Sequence, residues 1–309
     1  MDNNGILIIY TGGTIGMSKI DRDINTLINK DEIIESILEK VKLNNKDKVV
    51  TIRSIIDSSQ LDYQIFNEIS SILKMEYDNY SGFIIISGTD TMAYLQSLLK
   101  WQIIGLEKPI ILTGAINSYD QDRKEGVNNI NYGIEQVGIY KNQGIVGIAM
   151  NYKLIKNPTT KTNSTSKSPY KEIINSDLEK LRLEIFNNSD ELKFNIFNDL
   201  KLESIYINPF MYINDTKSLA DGLIIIAYGQ GTFKEDILLK KKAKRYSDQK
   251  KPIIVISQCT NNNLNVKQYQ SGSFLEKYEV LYCSGSCIEE GIAFLTYLIN
   301  SNILLSEFI

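Results

Sequence analysis

Short apolar runs alternate with helix-period segments over the first half of the chain. Five of the runs predict buried strands, at residues 6–10, 49–56, 83–87, 109–113 and 145–150. Apolar residues between the first three runs recur at helical spacing, at Ile33, Ile34, Ile37, Leu38 and Val41 and again at Ile65, Phe66, Ile69, Ile72 and Leu73. This alternation predicts a parallel sheet with helices on both faces.

The second half of the chain resumes the alternation after two polar stretches. Residues 153–169 predict a long loop, and the aperiodic residues 188–203 predict a linker. Further strands are predicted at 223–227, 252–257 and 280–282, and helices at 234–245 and 288–298. We therefore expect an α/β protein of two domains. The larger domain, residues 1–187, has a parallel or mixed sheet sandwiched by helices, and residues 204–309 form a smaller α/β domain.

Polar clusters follow four of the predicted strands at their carboxyl ends. They are Thr11-Gly-Gly-Thr14, Asp57-Ser-Ser-Gln60, Gly88-Thr-Asp-Thr91 and Thr113-Gly114. In an open α/β sheet, ligands bind at the carboxyl ends of the strands. Four turns that bear hydroxyl or carboxylate groups on one sheet edge therefore predict a site for a small polar molecule.

The chain of 309 residues contains no histidine. Its absence excludes a Ser-His-Asp or Cys-His apparatus, a histidine proton shuttle and histidine metal ligands. A nucleophilic hydroxyl would need another activator, and Asp90 and Lys161 are the candidates. The three cysteines, Cys259, Cys283 and Cys287, are too few for a disulfide framework and make a poor zinc site without histidine, so we expect reduced, packed thiols.

Charge and hydropathy exclude several partner classes. The net charge is −3, and the basic run from Lys240 to Arg245 falls in a predicted helix, where a solvated face is the expected role. We expect no nucleic-acid partner. Met1-Asp-Asn-Asn-Gly5 leads into an apolar strand without a positive segment before it, and no run is long enough to span a bilayer, so we expect a cytoplasmic protein with no membrane partner.

The glycine turn after the first strand is open to several interpretations. Gly12 and Gly13 permit a tight exit from the strand, and the N–H groups of residues 13–15 could bind an anion or an oxyanion. An ordinary turn in which Thr14 makes a local cap fits equally well. A dinucleotide-binding loop is disfavoured, because Gly12-Gly-Thr-Ile-Gly16 lacks the spacing Gly-x-Gly-x-x-Gly.

The turn Gly88-Thr-Asp-Thr91 lies between a strand and a predicted helix. Capping of that helix by Asp90 or Thr91 is the structural alternative, but it leaves Thr89 without a role. Ser58, Ser59 and Gln60 fit a simple turn as well as a binding site. Lys161, in a polar loop, fits a solvated lysine by default.

Taken together, these motifs resemble the bacterial L-asparaginase family, in particular its cytoplasmic type I branch. The resemblance rests on motifs in matching order: Thr11-Gly-Gly-Thr-Ile-Gly16, Asp57-Ser-Ser59, Ser87-Gly-Thr-Asp-Thr-Met92, Lys108-Pro-Ile-Ile-Leu-Thr-Gly114 and Thr160-Lys-Thr162. It extends to Tyr228-Gly-Gln-Gly231 and Ser257-Gln-Cys259 in the second half. The pattern therefore spans most of the chain.

The resemblance implies an enzyme that hydrolyses L-asparagine to L-aspartate and ammonia through a threonine nucleophile. Thr14 matches the nucleophile, and Thr89, Asp90 and Lys161 match a second hydroxyl triad. Ser59 and Gln60 match contacts to the α-carboxylate and amino ends of the substrate, and Asp90 also matches the partner of its α-ammonium. The family implies no metal, no organic cofactor and a homodimer or homotetramer.

Departures from the family pattern at Ile24 and Thr232 keep other functions open, whereas the one at Ser87 is harmless because the family's histidine there is not one of the acting residues. Ile24 occupies the place of a tyrosine in the loop after the first turn, Thr232 that of an asparagine, and Ser87 that of a histidine. Loss of the tyrosine removes the usual activator of Thr14. The alternatives are a catalytically weak protein that binds asparagine or aspartate, and a hydrolase of another amide such as glutamine, a modified asparagine or a tRNA-linked amide.

Overall fold

The computed structural model describes residues 5–21, 24–186, 191–214, 216, 218–260, 262–264 and 274–309, with the backbone alone for 19–21 and 24–28. Two compact units are present. The first contains Met1–Asn157, Lys161–Glu172 and Ser189–Phe194, and the second contains Pro158–Thr160, Ile173–Asn188 and Asn195–Ile309. These groupings do not decide where a folding domain begins, so the domain boundaries predicted from the sequence remain a proposal.

The described residues form a mixed α/β fold, as the sequence predicts. Their strands are β1 (Ile6–Gly12), β2 (Met17–Asp21), β3 (Ile24–Asn29), β4 (Lys48–Ile56), β5 (Gly82–Ile86), β6 (Ile103–Ile104), β7 (Ile110–Thr113), β8 (Val146–Met150), β9 (Lys153–Ile155), β10 (Thr159–Lys161), β11 (Tyr170–Glu172), β12 (Lys193–Phe194), β13 (Leu202–Tyr206), β14 (Gly222–Ala227), β15 (Ile253–Ser257) and β16 (Val280–Tyr282). Their helices are α1 (Asp31–Leu38), α2 (Tyr63–Glu76), α3 (Met92–Gln102), α4 (Glu125–Ile139), α5 (Asp177–Phe186), α6 (Ile237–Asp248) and α7 (Ile288–Ser301).

The main sheet of the first unit has the strand order β4-β1-β5-β7-β8-β9. Neighbouring strands are parallel except for the antiparallel pair β8 and β9. Both faces of β1 are buried: Ile8 packs in a core with residues of α1 and α4, while Leu7 and Ile9 point to the opposite face and are equally inaccessible. Burial on both sides explains why the strands are continuous apolar runs.

The order of this sheet brings two polar turns together. The first strand of the chain, β1, lies between β4 and β5. The chain therefore leaves β1 on one side and returns on the other, which makes this position the topological switch point where open α/β sheets bind ligands. The turns that follow β1 and β5 are the two threonine turns of the sequence, and they lie side by side at this edge.

Several short strands were not predicted from the sequence. Strands β2 and β3 form an antiparallel hairpin in which Met17 lies opposite Asn29. The side chain of Ile24, at the start of β3, lies outside the described residues. The predicted loop at 153–169 contains β9 and β10, because strands of three residues are too short to produce a readable alternation.

The second unit contains a parallel sheet in the order β13-β14-β15-β16. Helix α6 begins at Ile237, where the Asp236 side chain accepts hydrogen bonds from the N–H groups of Leu238 (2.8 Å) and Leu239 (3.0 Å). Helix α7 packs on β14 and β15, and α5 packs on α7. Cys283 and Cys287 are buried, whereas Cys259 is exposed. Across the described residues, no helix is long and apolar enough to cross a membrane.

The basic run in α6 is not a uniform solvated face. Lys242 is buried, and its Nζ donates to Glu203 Oε1 on β13 at 2.5 Å. The Tyr246 hydroxyl donates to the other oxygen of the same carboxylate at 2.9 Å. Lys244, by contrast, is exposed and pairs with Asp248 one turn later. The sequence could not separate these lysines, because only the tertiary partner distinguishes them.

Glu203→Gln should destabilise the second unit strongly. The change leaves the Lys242 ammonium buried without its counter-charge, which costs about 3 kcal/mol of unfolding free energy. Asp248→Asn is the matched control, because it removes the partner of an exposed lysine and should cost no more than about 0.5 kcal/mol. Urea unfolding measures both values, and equal losses in the two variants would contradict the structural role of Lys242.

Candidate active site

The turn after β1 depends on two glycines with left-handed backbone angles. Gly12 has φ 113° and Gly13 has φ 92°, values that side chains rarely permit. The N–H of Gly13 donates to the Ile56 carbonyl at 3.0 Å. That amide is therefore engaged, which corrects the expectation that residues 13–15 together bind an oxyanion and leaves Thr14 and Ile15 as the candidates. Thr14 is half-buried and begins a short 3-10 helix, Thr14–Gly16.

Glycine backbones bring the two threonine turns into direct contact. A Cβ on Gly13 would lie 2.4 Å from the Cα of Gly88, and a Cβ on Gly88 would lie 2.5 Å from the Oγ of Ser58. Side chains at these positions would have to displace backbone atoms or the buried Ser58. The absence of side chains thus allows the turns after β1, β4 and β5 to meet.

Thr89, Asp90 and Lys161 form one hydrogen-bonded group. Lys161 Nζ donates to Thr89 Oγ1 at 2.9 Å and to Asp90 Oδ1 at 2.6 Å. Thr89 is buried; the Lys161 side chain is 17% exposed, and the Asp90 side chain is 68% exposed. One ammonium therefore bridges the hydroxyl of a buried threonine and a carboxylate that faces solvent. Lys161 is not the solvated lysine that its polar surroundings in sequence suggest.

The residues around Thr89 leave it little freedom. The buried hydroxyl of Tyr170 donates to the Thr89 carbonyl at 2.7 Å. The hydroxyl of Thr91 donates to the Ser58 carbonyl at 2.9 Å and not to the helix that Thr91 precedes. The Asp90 carboxylate bonds to Lys161. The interpretation of this turn as a simple side-chain cap of α3 is therefore wrong.

Ser59 and Gln60 lie in the turn after β4. Both are exposed, in a 3-10 helix of residues 58–60. The Asp57 carboxylate accepts the Ser59 N–H at 2.9 Å and fixes the start of this turn. Through Ser58, which contacts Gly88 and Thr91, the turn is joined to the Thr89 group. The structure thus places these two predicted substrate contacts in a turn bonded to the one that carries Thr89 and Asp90.

Tyr10 lies beneath the first turn but does not replace the missing loop tyrosine. Its hydroxyl donates to Asn29 Oδ1 at 3.1 Å, and a Cβ on Gly16 would collide with it. Burial, and to a smaller degree Asp31, raises the pKa of Tyr10. The phenol therefore stays protonated at neutral pH. Ser18, on β2 after the same turn, is also buried.

Comparison with known proteins identifies the family. Residues 5–190 match the family model described as Asparaginase, N-terminal. The chain belongs to the asparaginase family. This membership confirms the expected fold and makes the protein an asparaginase-like amidohydrolase.

Individual members of the asparaginase family are distant from this chain. L-asparaginase 1 of Escherichia coli K12 is 22% identical over 98% of this chain and 94% of that protein. L-asparaginase of Dirofilaria immitis is 24% identical over 96% of this chain, which spans only 57% of that longer protein. The crystal structure of a probable cytoplasmic L-asparaginase from Campylobacter jejuni is 19% identical to this chain in sequence and matches its fold with a TM-score of 0.74. The match covers 99% of this chain and 98% of that one.

Sequence reasoning missed Tyr170 and the contacts of Ser58. Tyr170 is a buried aromatic residue directly after a polar stretch, and that contrast was the available signal. Ser58 could not be separated from Ser59 by sequence, because both are small hydroxyl residues in one turn. Their burial distinguishes them, since Ser58 faces Gly88 while Ser59 is exposed.

Gly13→Ala should disrupt the contact between the two turns. The new Cβ would strike the Gly88 backbone at a φ that alanine resists, so we expect a loss of about 3 kcal/mol in unfolding free energy and at least tenfold in turnover. Gly138→Ala, in α4, is the control, because a Cβ there meets nothing within 4 Å and should be neutral or slightly stabilising. Urea unfolding and ammonia release measure the two effects, and full activity in Gly13→Ala would contradict them.

Proposed function

We propose that this protein hydrolyses the side-chain amide of L-asparagine, giving L-aspartate and ammonia, with Thr14 as the nucleophile. The observation that carries the proposal is the pair of short contacts from Lys161 Nζ to Thr89 Oγ1 and Asp90 Oδ1, beside the glycine turn that bears Thr14. A chain without histidine needs another group to polarise a hydroxyl. The largely buried Lys161 ammonium, held by the Asp90 carboxylate, supplies one.

The reaction proceeds in two steps. Thr14 Oγ1 attacks the amide carbon, the C–N bond breaks, and ammonia leaves with the proton of the hydroxyl, which gives an acyl ester on Thr14. Water then attacks the ester carbon, the bond to Thr14 breaks, and aspartate leaves as the hydroxyl is restored. Backbone N–H groups of Thr14 and Ile15, at the start of their 3-10 helix, stabilise the oxyanion in both steps.

The second group of residues prepares the site electrostatically. Lys161 donates to the Thr89 hydroxyl and fixes its orientation, and the Asp90 carboxylate supplies the counter-charge of the ammonium. Only Oδ1 of Asp90 contacts Lys161, so the exposed carboxylate has a second oxygen for the α-ammonium of the substrate. Ser59 and Gln60, on the neighbouring turn, bind the α-carboxylate and amino ends. The site therefore selects free amino acids over simple amides.

The missing loop tyrosine makes slow turnover the expected behaviour. Ile24 cannot transfer a proton, and the raised pKa of Tyr10 keeps its phenol protonated at neutral pH. We propose that the substrate amide and solvent take over the transfer, at a cost in rate. Two alternatives remain: a catalytically weak protein that binds asparagine or aspartate, and a hydrolase of another amide such as glutamine.

We further propose a homodimer or homotetramer in the cytoplasm, with no partner other than its small-molecule substrate. Support comes from the type I pattern of the motifs and from the likeness to the Campylobacter jejuni structure. Thr232, in place of the asparagine that reaches the neighbouring subunit in the family, would face the partner's site. Light scattering of the purified protein measures the assembly directly.

Thr14→Ala should abolish ammonia release from asparagine while the protein stays folded. A half-buried turn threonine adds little to the core, so the change in unfolding free energy should remain below about 1 kcal/mol. The assay compares ammonia release from asparagine and glutamine by both proteins, and mass spectrometry locates the adduct of a reactive asparagine analogue. An adduct on Thr89 would exchange the two roles, and no release from the unmodified chain would favour the binding protein.

Lys161→Met should reduce turnover at least about a hundredfold, the usual effect of losing an acid-base partner. Methionine retains the length of the side chain and removes the charge, so packing around Thr89 is largely conserved. Lys167→Met is the control, since that lysine pairs with Asp122 outside the three turns and should leave kcat unchanged. Steady-state kinetics decide the point, and comparable losses in the two variants would remove Lys161 from the mechanism.

A further inference from the structure

Strand β10 carries Lys161, and the three residues directly before Lys161 in the chain are each fixed by a hydrogen bond. The Ile173 N–H donates to the Pro158 carbonyl at 2.8 Å. The Cys287 thiol donates to the Thr159 carbonyl across 3.7 Å, and the Thr160 hydroxyl donates to Glu289 Oε1 at 2.7 Å. Two of these three contacts come from the start of α7, in the second half of the chain. All three lie within the second compact unit.

Glu289, in the first turn of α7, is an unusual residue to find in a protein interior. Its side chain is buried, and burial of a carboxylate is costly unless hydrogen bonds and favourable charges offset the cost. The first turn of α7 offsets part of it, because the positive end of the helix dipole stabilises an acid there. The Thr160 hydroxyl offsets more, through a short hydrogen bond to a charged acceptor. The carboxylate and Thr160 are thus fixed relative to each other.

Glu289 also affects the neighbouring thiol. Burial, and then the charges of Glu289 and Glu290, raise the pKa of Cys287. The thiol therefore remains protonated and can donate to the Thr159 carbonyl. The same helix turn consequently holds two successive residues of β10, one through its main chain and one through its side chain.

From these contacts we infer that Glu289 is a positioning residue for Lys161, acting through the Thr160 hydroxyl. The inference rests on the proposed function, since it assumes that Lys161 assists the reaction. Thr160 and Lys161 share a peptide bond. The hydrogen bond from Thr160 to Glu289 therefore restrains the backbone that carries the Lys161 side chain. The Lys161 ammonium reaches both acceptors, at 2.6 and 2.9 Å, only from a limited range of backbone positions.

The size of the effect follows from geometry. Misplacement of a reacting or polarising group by about 1 Å can reduce a rate by about a hundredfold. Loss of one hydrogen bond at Thr160, the residue before Lys161, would cause a smaller shift, and we expect turnover to fall about tenfold. Because the contribution of Lys161 belongs to the transition state, kcat and kcat/KM should fall by the same factor.

The test uses paired variants of the full-length protein. Thr160→Val removes the hydroxyl at constant shape, and Thr160→Ser retains it, so kcat should fall about tenfold in the first and recover in the second. Glu289→Leu should resemble Thr160→Val, while Glu289→Gln, which keeps an acceptor oxygen, should retain most of the activity. Ser176→Ala is the matched control, because Ser176 bonds to Glu290 on the same helix turn and should leave kcat unchanged. Circular dichroism confirms that each variant is folded.

A second comparison separates this inference from the proposed function. In a Lys161→Met background, Thr160→Val should cause no further loss of kcat, because the group that it positions is gone. Normal turnover in Thr160→Val alongside an inactive Lys161→Met would overturn the role of Glu289 and leave the proposed function intact. Normal turnover in Lys161→Met would overturn both. An equal loss in Ser176→Ala and Thr160→Val would show general disruption of the helix start and would also overturn the inference.

Discussion

The close approach of Gly13 and Gly88 is the constraint on which the site depends. These residues follow adjacent parallel strands, and the missing side chains let two backbones meet where a Cβ would collide. Further contacts join the same turns: Ser58 packs against Gly88, Thr91 donates to the Ser58 carbonyl, and Thr89 accepts from Lys161. The site therefore requires a sheet in which β1 and β5 are adjacent. It also requires that the turns after these two strands be narrow enough to come into contact.

A second constraint is electrostatic. Without histidine, the described part of the site offers carboxylates, the Lys161 ammonium, hydroxyls, the Gln60 amide and backbone N–H groups. Lys161 is positioned by its two hydrogen-bond partners, Thr89 and Asp90. The exposed Asp90 carboxylate also faces solvent. The group resembles a preorganised dipole more than a proton relay. That arrangement suits a reaction in which charge develops on a carbonyl oxygen, as in amide hydrolysis by the asparaginase family.

The sequence predicts the strands of the main sheet well, because Ile-rich runs such as Phe83 to Ser87 are long enough to read and are buried on both faces. It also predicts which turns carry polar residues. It does not predict how Lys161 reaches Thr89, because β10 is too short to produce a readable pattern and the two residues are 72 positions apart. Lys242 shows the same limit: identical lysines in one helix differ only through Glu203. Local patterns thus specify elements, whereas the site depends on contacts between residues that are distant in sequence.

The Thr11 hydroxyl donates to the carbonyl of Ile86, 75 positions later in the chain. This separation in sequence affects the rate of folding. Contacts of this range form only after the intervening crossover has closed its loop, and parallel pairings are among the slowest steps in folding. Helices such as α2 and α4 can form earlier from local interactions. During refolding, the chain should regain helical structure before it regains the site. A partly folded population is then rich in helix and inactive, with the apolar edges of β1 and β5 open to association with other chains.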